Sequence, residues 1–357
     1  MRRFAVRAGL TNSLLLSAVD VPGQRGFVAV ASTVGAGWHA AVMRPALKSG
    51  LLPVWRDRDT LQIGIDPRRA IALSGMRRAA VVIGLLDGSR DRSQVIAAAA
   101  DQGIPREATE RVLTLLAASG ALDDFPASTL RAVPSSARSR LAAELATASL
   151  SHRDPDGGAR SLARRRDIAI WITGERGIGR AVGRILLAAG VAQVRIGEAQ
   201  ERRPDLAVLV GRPPPDLLIA LAADSMPHLA VLATEAIGVV GPLVIPGLTS
   251  CLRCQDYVRA ARDPAWPLIL AQIATRRPDP DARDAVLIAA VAAQAAAQVL
   301  TAIDRAPAAS AAVNGTLELV LPDWRWRRRT WQPHPACACA NNTGPVTDTP
   351  TPGDSRQ

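Results

Sequence analysis

Between Leu51 and Leu73 apolar and polar positions alternate in short runs: Val54 and Trp55, then Leu61, Ile63 and Ile65, then Ile71 and Leu73. Asp57 to Asp59 and Asp66-Pro67 punctuate these runs, so three short strands joined by tight turns are expected. The period then changes to that of helices. One runs from about Met76 to before Gly88, a second from Ser93 to before Gly103, and a third from Pro105 to Gly120. In the third, Ala108, Val112, Leu115, Leu116 and Ser119 share one face. Residues 44–125 therefore read as a winged-helix-like α+β domain. Such a unit can set a helix into a DNA groove or take an extended peptide on a sheet edge. The outer face of the third helix is expected to show Arg106, Thr109 and Arg111 but also Glu107 and Glu110, whose carboxylates oppose phosphate contact. The peptide-binding candidates are Ile71 and Leu73 on the third strand with Arg111 and Leu115 on the third helix.

From Phe125 the composition shifts to Pro, Ser, Ala and Arg, and 126–165 reads as a linker with one helix over Leu141 to Leu150. Beyond it the apolar run Ile168 to Ile172 leads into Gly174, Gly177 and Gly179. A helix with Val182, Ile185, Leu186 and Ala189 on one face follows, then a strand from Val191 to Ile196 and another from Leu206 to Val210. This is the opening of a Rossmann-like sheet, whose glycines let a phosphate approach a helix N-terminus. The turn reads G-E-R-G-I-G, with Arg176 where a second glycine would admit a pyrophosphate and Glu175 adding a negative charge. Only the nine residues Gly197 to Asp205 join the next two strands, too few for the connecting helix of a complete nucleotide pocket. A truncated fold that has lost its ligand is the expectation for 166–340. Ala285 to Ile303, alanine-rich and bracketed by Asp284 and Asp304, reads as a packed helix rather than a membrane span. Asp323 to Arg327 alternates like an edge strand with Trp inward and Arg outward.

The chain has 357 residues, is 48% hydrophobic and carries a net charge of +11, yet Lys48 is its only lysine. Arginine bias makes the charge weak evidence for nucleic acid. The blocks Arg164 to Arg166 and Arg327 to Arg329 read as solvated surface, although Trp and Arg interleaving leaves base stacking open. No export signal is read in the uncertain extension over 1–43, where Met43 is an alternative start, and a cytoplasmic protein is expected. The polar 341–357 tail is expected to be disordered. The four cysteines form two tight pairs, Cys251 with Cys254 (C-L-R-C) and Cys337 with Cys339 (C-A-C). Two such pairs supply the four thiolates of a structural zinc site, whereas a redox C-x-x-C would leave the second pair without a role. His334 reads as a loop residue, and neither His228 nor His152 has a partner in sequence that would give it a role.

The glycine turn, G-P-L-V-I-P-G-L-T-S-C-L-R-C at Gly241 to Cys254, the apolar helix and H-P-A-C-A-C at His334 to Cys339 together resemble the ThiF/MoeB family, which is related to ubiquitin-activating enzymes. Asp263-Pro264-Ala265-Trp266-Pro267 and the H-P-x-C ending resemble its cyclodehydratase-associated branch. That resemblance implies a peptide-recognition domain in front of an activating-enzyme-like domain, serving a YcaO-type ATP-dependent partner that installs azolines in a precursor peptide. It also implies homodimers in related folds. Active members hold ATP with residues that include a lysine and a Thr-Asp-Asn segment. Here the domain has no lysine, and Gly211-Arg212-Pro213 stands at that segment. The expectation is a non-adenylating scaffold with no catalytic residue, no bound ATP and no membrane or nucleic-acid partner. The alternatives are an active adenylyltransferase acting on a C-terminal carboxylate and a zinc-containing DNA-binding regulator.

Overall fold

The structure, a computed structural model, describes residues 15–17, 30–32, 44–74, 78–124, 135–198, 203–275 and 281–340. Most of the 1–43 extension, Met76, Phe125, the 126–134 part of the expected linker and the 341–357 tail lie outside the described residues. The chain divides into two units, Met1–Arg160 and Ser161–Gln357.

In the first unit β1 (Leu15–Ser17) pairs antiparallel with β2 (Val30–Ser32), and β3 (Pro45–Leu47) with β7 (Leu122–Asp124). The three strands expected from the alternation form an antiparallel meander: β4 (Pro53–Trp55), central β5 (Thr60–Ile63) and β6 (Ile71–Ser74). Alternation works because successive side chains leave a strand on opposite faces, so Leu61 and Ile63 point inward and Gln62 does not. Ile65 lies beyond β5 and is exposed. The three helices are α1 (Ala79–Gly84), α2 (Arg92–Asp101) and α3 (Arg106–Ala118). Asp91 and Gln94 close α2 with a reciprocal capping box. Leu61, Ile63 and Leu73 pack with Val82, Val95, Val112 and Leu116 in one core. Thr109, expected on the outer face of α3, is fully buried instead.

The segment expected as a linker is largely helical where it is described: α4 (Ser135–Arg140), α5 (Ala142–His152) and α6 (Ala159–Asp167). Its Ala and Arg are strong helix formers, and these outweigh the loop signal of its Ser and Pro. It is also anchored to the front unit. The buried Lys48 ammonium donates to the Ser149 carbonyl at 2.9 Å, to Ser149 Oγ at 2.6 Å and to the Asp154 carbonyl at 2.6 Å, and pairs with Asp123 at 3.0 Å.

The second unit is mixed α/β around a seven-stranded sheet in the order β14-β13-β12-β11-β10-β8-β9. The strands are β8 (Ala169–Gly174), β9 (Gln193–Ile196), β10 (Leu206–Val210), β11 (His228–Thr234), β12 (Ile237–Val244), β13 (Gly315–Val320) and β14 (Arg325–Thr330). β9, β8, β10 and β11 run parallel, while β12, β13 and β14 extend the sheet antiparallel. On one face Ile170, Ile172, Val208 and Val210 pack in the core that holds α7 (Arg176–Ala188) and α11 (Ala285–Asp304). On the other, Ala207 and Leu209 pack with Leu221 of α8 (Pro215–Ala223). The period of two thus sorts alternate residues to opposite layers.

α11 is long and apolar enough to cross a membrane by length and composition, but Leu287, Val291, Ala295 and Val299 are buried in the protein core. Gly238 lets α11 lie close to β12, since a Cβ there would sit 2.3 Å from Val291 Cγ2. Two expectations are corrected here. Arg165 is not solvated surface: its guanidinium is buried on Asp304, at 2.9 and 2.5 Å, and reaches the Ala189 carbonyl at 2.8 Å. Trp324 does not point inward. It sits at positive φ in the turn before β14 and is exposed, while Trp326 alone of that pair packs against the core.

Candidate metal centre and glycine turn

The proline-glycine lead after β12 delivers Cys251 to the N-cap of α9 (Leu252–Arg262), and the helical turn brings Cys254 round beside it. Cys337 and Cys339 arrive in the loop after β14, where the Cys337 N–H donates to the His334 carbonyl at 2.9 Å. Together the four sulfurs lie within 4.8 Å of one another. Cys251 Sγ is 3.8 Å from Cys254 Sγ and 3.6 Å from Cys337 Sγ, and Cys254 Sγ is 3.3 Å from Cys339 Sγ. A tetrahedron of zinc–sulfur bonds of about 2.3 Å has edges of roughly 3.8 Å, so the donor set has the size and chemistry for such an ion. All four cysteines are free.

The electrostatics favour a cation at the centre. The Cys251 thiol, donating to Cys254, holds Cys254 down to about 4 as a thiolate, helped by the His334 N–H at 3.3 Å. Donating that same proton pushes Cys251 up, and burial pushes Cys339 up to about 12. Without a cation the sulfurs share protons, and a divalent ion would let all four ionise. His334 is a loop residue, stacked on Tyr257 with ring centroids 4.9 Å apart. His228 is buried, its Nδ1 2.9 Å from the Met226 carbonyl.

The glycine turn lies where strand order reverses. β9 flanks β8 on one side and β10 on the other, and ligands of open α/β sheets bind beyond the carboxyl ends of strands at such a point. Gly174 ends β8 at φ +100, and a Cβ there would fall 2.0 Å from the Val210 carbonyl oxygen, so only glycine fits. Glu175 then caps α7: its Oε1 accepts the Gly177 N–H at 2.7 Å, and its Oε2 accepts from Arg283 Nη1 at 2.6 Å. A Cβ on Gly177 would sit 2.7 Å from that same Oε1. Gly179 serves packing, since its Cβ would approach Ile172 Cγ2 at 3.2 Å. A helix N-terminus attracts an anion, and here the chain's own carboxylate takes that place.

The peptide candidates do not form one exposed face. β6 is an edge strand, but Leu73 is 1% exposed because alternation turns it into the core, so its side chain cannot meet a ligand. Ile71 and Leu115 are partly buried against the same core, and Arg111 is exposed. Sequence reasoning missed Arg283, the residue that fixes Glu175. Its only signal was a second unusual charge near the start of α11.

No protein-family model matches the chain, and no curated protein matches it by sequence. Solved structures do match in fold. E. coli MccB, solved with AMPCPP and MccA, aligns over 84% of this chain and 100% of its own length, at TM-score 0.61 and 14% identity. The heterocyclase TruD aligns over the same share at TM-score 0.60 and 18% identity, and a heterocyclase in complex with substrate and cofactor at 0.61 and 17%. The chain spans 43% and 39% of the length of those two heterocyclases. At these identities the shared property is the fold.

Proposed function

We propose that this chain is a non-adenylating, ThiF-like scaffold that binds a precursor peptide and presents it to a YcaO-type cyclodehydratase. The observation that carries the reading is the Glu175 carboxylate on the N-terminus of α7, locked by Arg283 at 2.6 Å. A triphosphate would have to displace that carboxylate against like-charge repulsion. Lys48, the only lysine, is buried on Asp123 in the other unit and can serve no nucleotide. In this reading the first unit, winged-helix-like, takes the peptide by strand addition at β6, with Arg111 beside the docked strand. The four cysteines hold structural zinc that braces the C-terminal loop against α9.

The fold shared with the heterocyclases supports the reading. The MccB structure with AMPCPP favours a second one, an ATP-dependent adenylyltransferase. Titration of magnesium-ATP into zinc-loaded full chain, with ATP–pyrophosphate exchange beside it, separates the two. The scaffold predicts neither saturable binding nor exchange. Measurable exchange would replace it with the enzyme.

A further inference from the structure

Arginine and tryptophan side chains from four separate segments of the second unit form a ladder. The Arg212 guanidinium lies 5.9 Å from the centroid of Trp266, and Arg259 lies 5.1 Å from the same ring. Arg259 is also 5.4 Å from the ring of Trp331, on which Arg329 sits at 4.4 Å. Arg212 lies just past the C-terminal end of β10, Arg259 is on α9, Arg329 is on β14, and Trp266 opens α10 (Trp266–Ile273).

The positive charge of this ladder is poorly neutralised. Asp256 Oδ1 stands 3.9 Å from Arg212 Nη1 and 3.7 Å from Arg259 Nη1, both too long for hydrogen bonds, and instead accepts the Trp266 indole N–H at 3.0 Å. Glu318, a second acid acting on Arg259, accepts a hydrogen bond from the Thr316 hydroxyl at 2.8 Å. Burial, the largest effect, and the neighbouring Arg212 and Arg329 disfavour the charge on Arg259, and Asp256 and Glu318 offset them only in part, so an added anion would be stabilised there. Each guanidinium lies over an indole ring, and among the described residues the side chains of Arg212, Arg259 and Arg329 make no hydrogen bond, so their planar forks can grip a carboxylate through two parallel bonds.

We propose that Arg212, Arg259 and Arg329, ordered by Trp266 and Trp331, form a binding site for the carboxylates of an acidic peptide segment. Among the described residues three guanidiniums stand against one close carboxylate, Asp256, which leaves room for one or two added negative charges. A nucleic-acid strand would need open ring faces on which bases stack, and each of these rings already carries two guanidiniums. The site lies wholly in the second unit and does not depend on peptide addition at β6.

Isothermal titration of the full zinc-loaded chain with acetylated tetraglutamate amide tests the site, with the tetraglutamine analogue and oligothymidine as comparisons. The glutamate peptide binds and the glutamine peptide does not. The exposed Arg329→Gln and the half-buried Arg259→Gln each weaken binding by about tenfold or more, the loss of a charge-assisted hydrogen bond. Arg325→Gln, exposed on the same strand, and Arg111→Gln in the first unit leave the affinity within about twofold. Equal binding of the two peptides, an equal loss in Arg325→Gln, or displacement of the glutamate peptide by oligothymidine would overturn the proposal. A loss in Arg111→Gln would move the binding to the first unit and overturn it as well, and failure to take up this peptide would leave the β6 reading intact.

Discussion

Arg283 Nη1 donates to Glu175 Oε2 at 2.6 Å, while the other oxygen of that carboxylate holds the Gly177 N–H at 2.7 Å. The pair closes the N-terminus of α7 from inside. It joins the start of the first helix after β8 to the approach to α11, 108 residues later. Arg283 is itself steadied by Asp281 at 3.2 Å.

Neutralising the plug should therefore change ligand behaviour more than stability. Glu175→Gln keeps a capping oxygen but loses the ion pair, so the expected cost is about 1 kcal/mol or less at this partly exposed site. The charge that repels an anion is then gone, although the amide oxygen still caps the helix and Asp281 still pairs with Arg283. With Arg259→Gln placed in both proteins to weaken the arginine ladder, phosphate titration followed by phosphorus NMR should detect additional weak binding in Glu175→Gln over its parent. Equal phosphate binding by the two proteins would show that Glu175 does not occupy the site.

The four-sulfur cluster predicts one zinc per chain by elemental analysis, abolished or nearly so in Cys254→Ser. Because the ion would tie the 334–339 loop to α9, a strong chelator should lower the melting temperature of the second unit by many degrees. Structural zinc in small domains supplies on the order of 10 kcal/mol. A reductant should do nothing, since no disulfide is present. A metal-free protein with an unchanged melting temperature would remove the zinc reading.

Lys48 supplies a prediction in the first unit. Its ammonium serves Ser149, Asp154 and Asp123 from a fully buried position, and its loss would leave the Asp123 carboxylate without its cation. Lys48→Met should destabilise the unit by roughly 3–5 kcal/mol, the cost of breaking one side of a buried pair. Lys48→Arg should fail to rescue it, because a planar fork cannot point three donors at targets arranged around a compact ammonium. Hydrogen exchange across residues 44–124 reads this unit apart from the rest. Unchanged protection in Lys48→Met would refute the anchoring role.

What the sequence disclosed and what it hid divide along sequence distance. The two cysteine pairs were legible because each is a local spacing with one dominant chemistry. The strands at Leu61–Ile63 and Ile71–Leu73 were legible because alternation is local too. Lys48 and Arg165 were not, since Ser149 and Asp154 lie 101 and 106 residues from Lys48, Asp304 lies 139 from Arg165, and an arginine block usually marks solvated surface. The Arg–Trp ladder was hidden for the same reason. Trp324 and Trp326 drew attention by their spacing, while the rings that meet the guanidiniums are Trp266 and Trp331. The Glu175 plug was half legible: the extra charge in the glycine turn was visible, and the arginine that satisfies it was not.

His228 gives a pH dependence whose sign is fixed by burial. It begins β11 with Nδ1 2.9 Å from the Met226 carbonyl, which the neutral ring satisfies with its Nδ1–H. Burial, the larger effect, lowers its pKa below the ordinary 6.5. The folded protein therefore resists a proton that the unfolded chain accepts. Stability from this group is complete above the unfolded pKa of about 6.5 and is lost as pH falls toward the depressed folded value, by up to about 1.4 kcal/mol per pH unit. His228→Gln removes the titration while keeping a polar side chain. Urea unfolding of the second unit on either side of pH 6.5 should show the parent losing stability faster than the variant as pH falls. Parallel curves would mean that His228 takes up its proton equally well in the folded and unfolded chain.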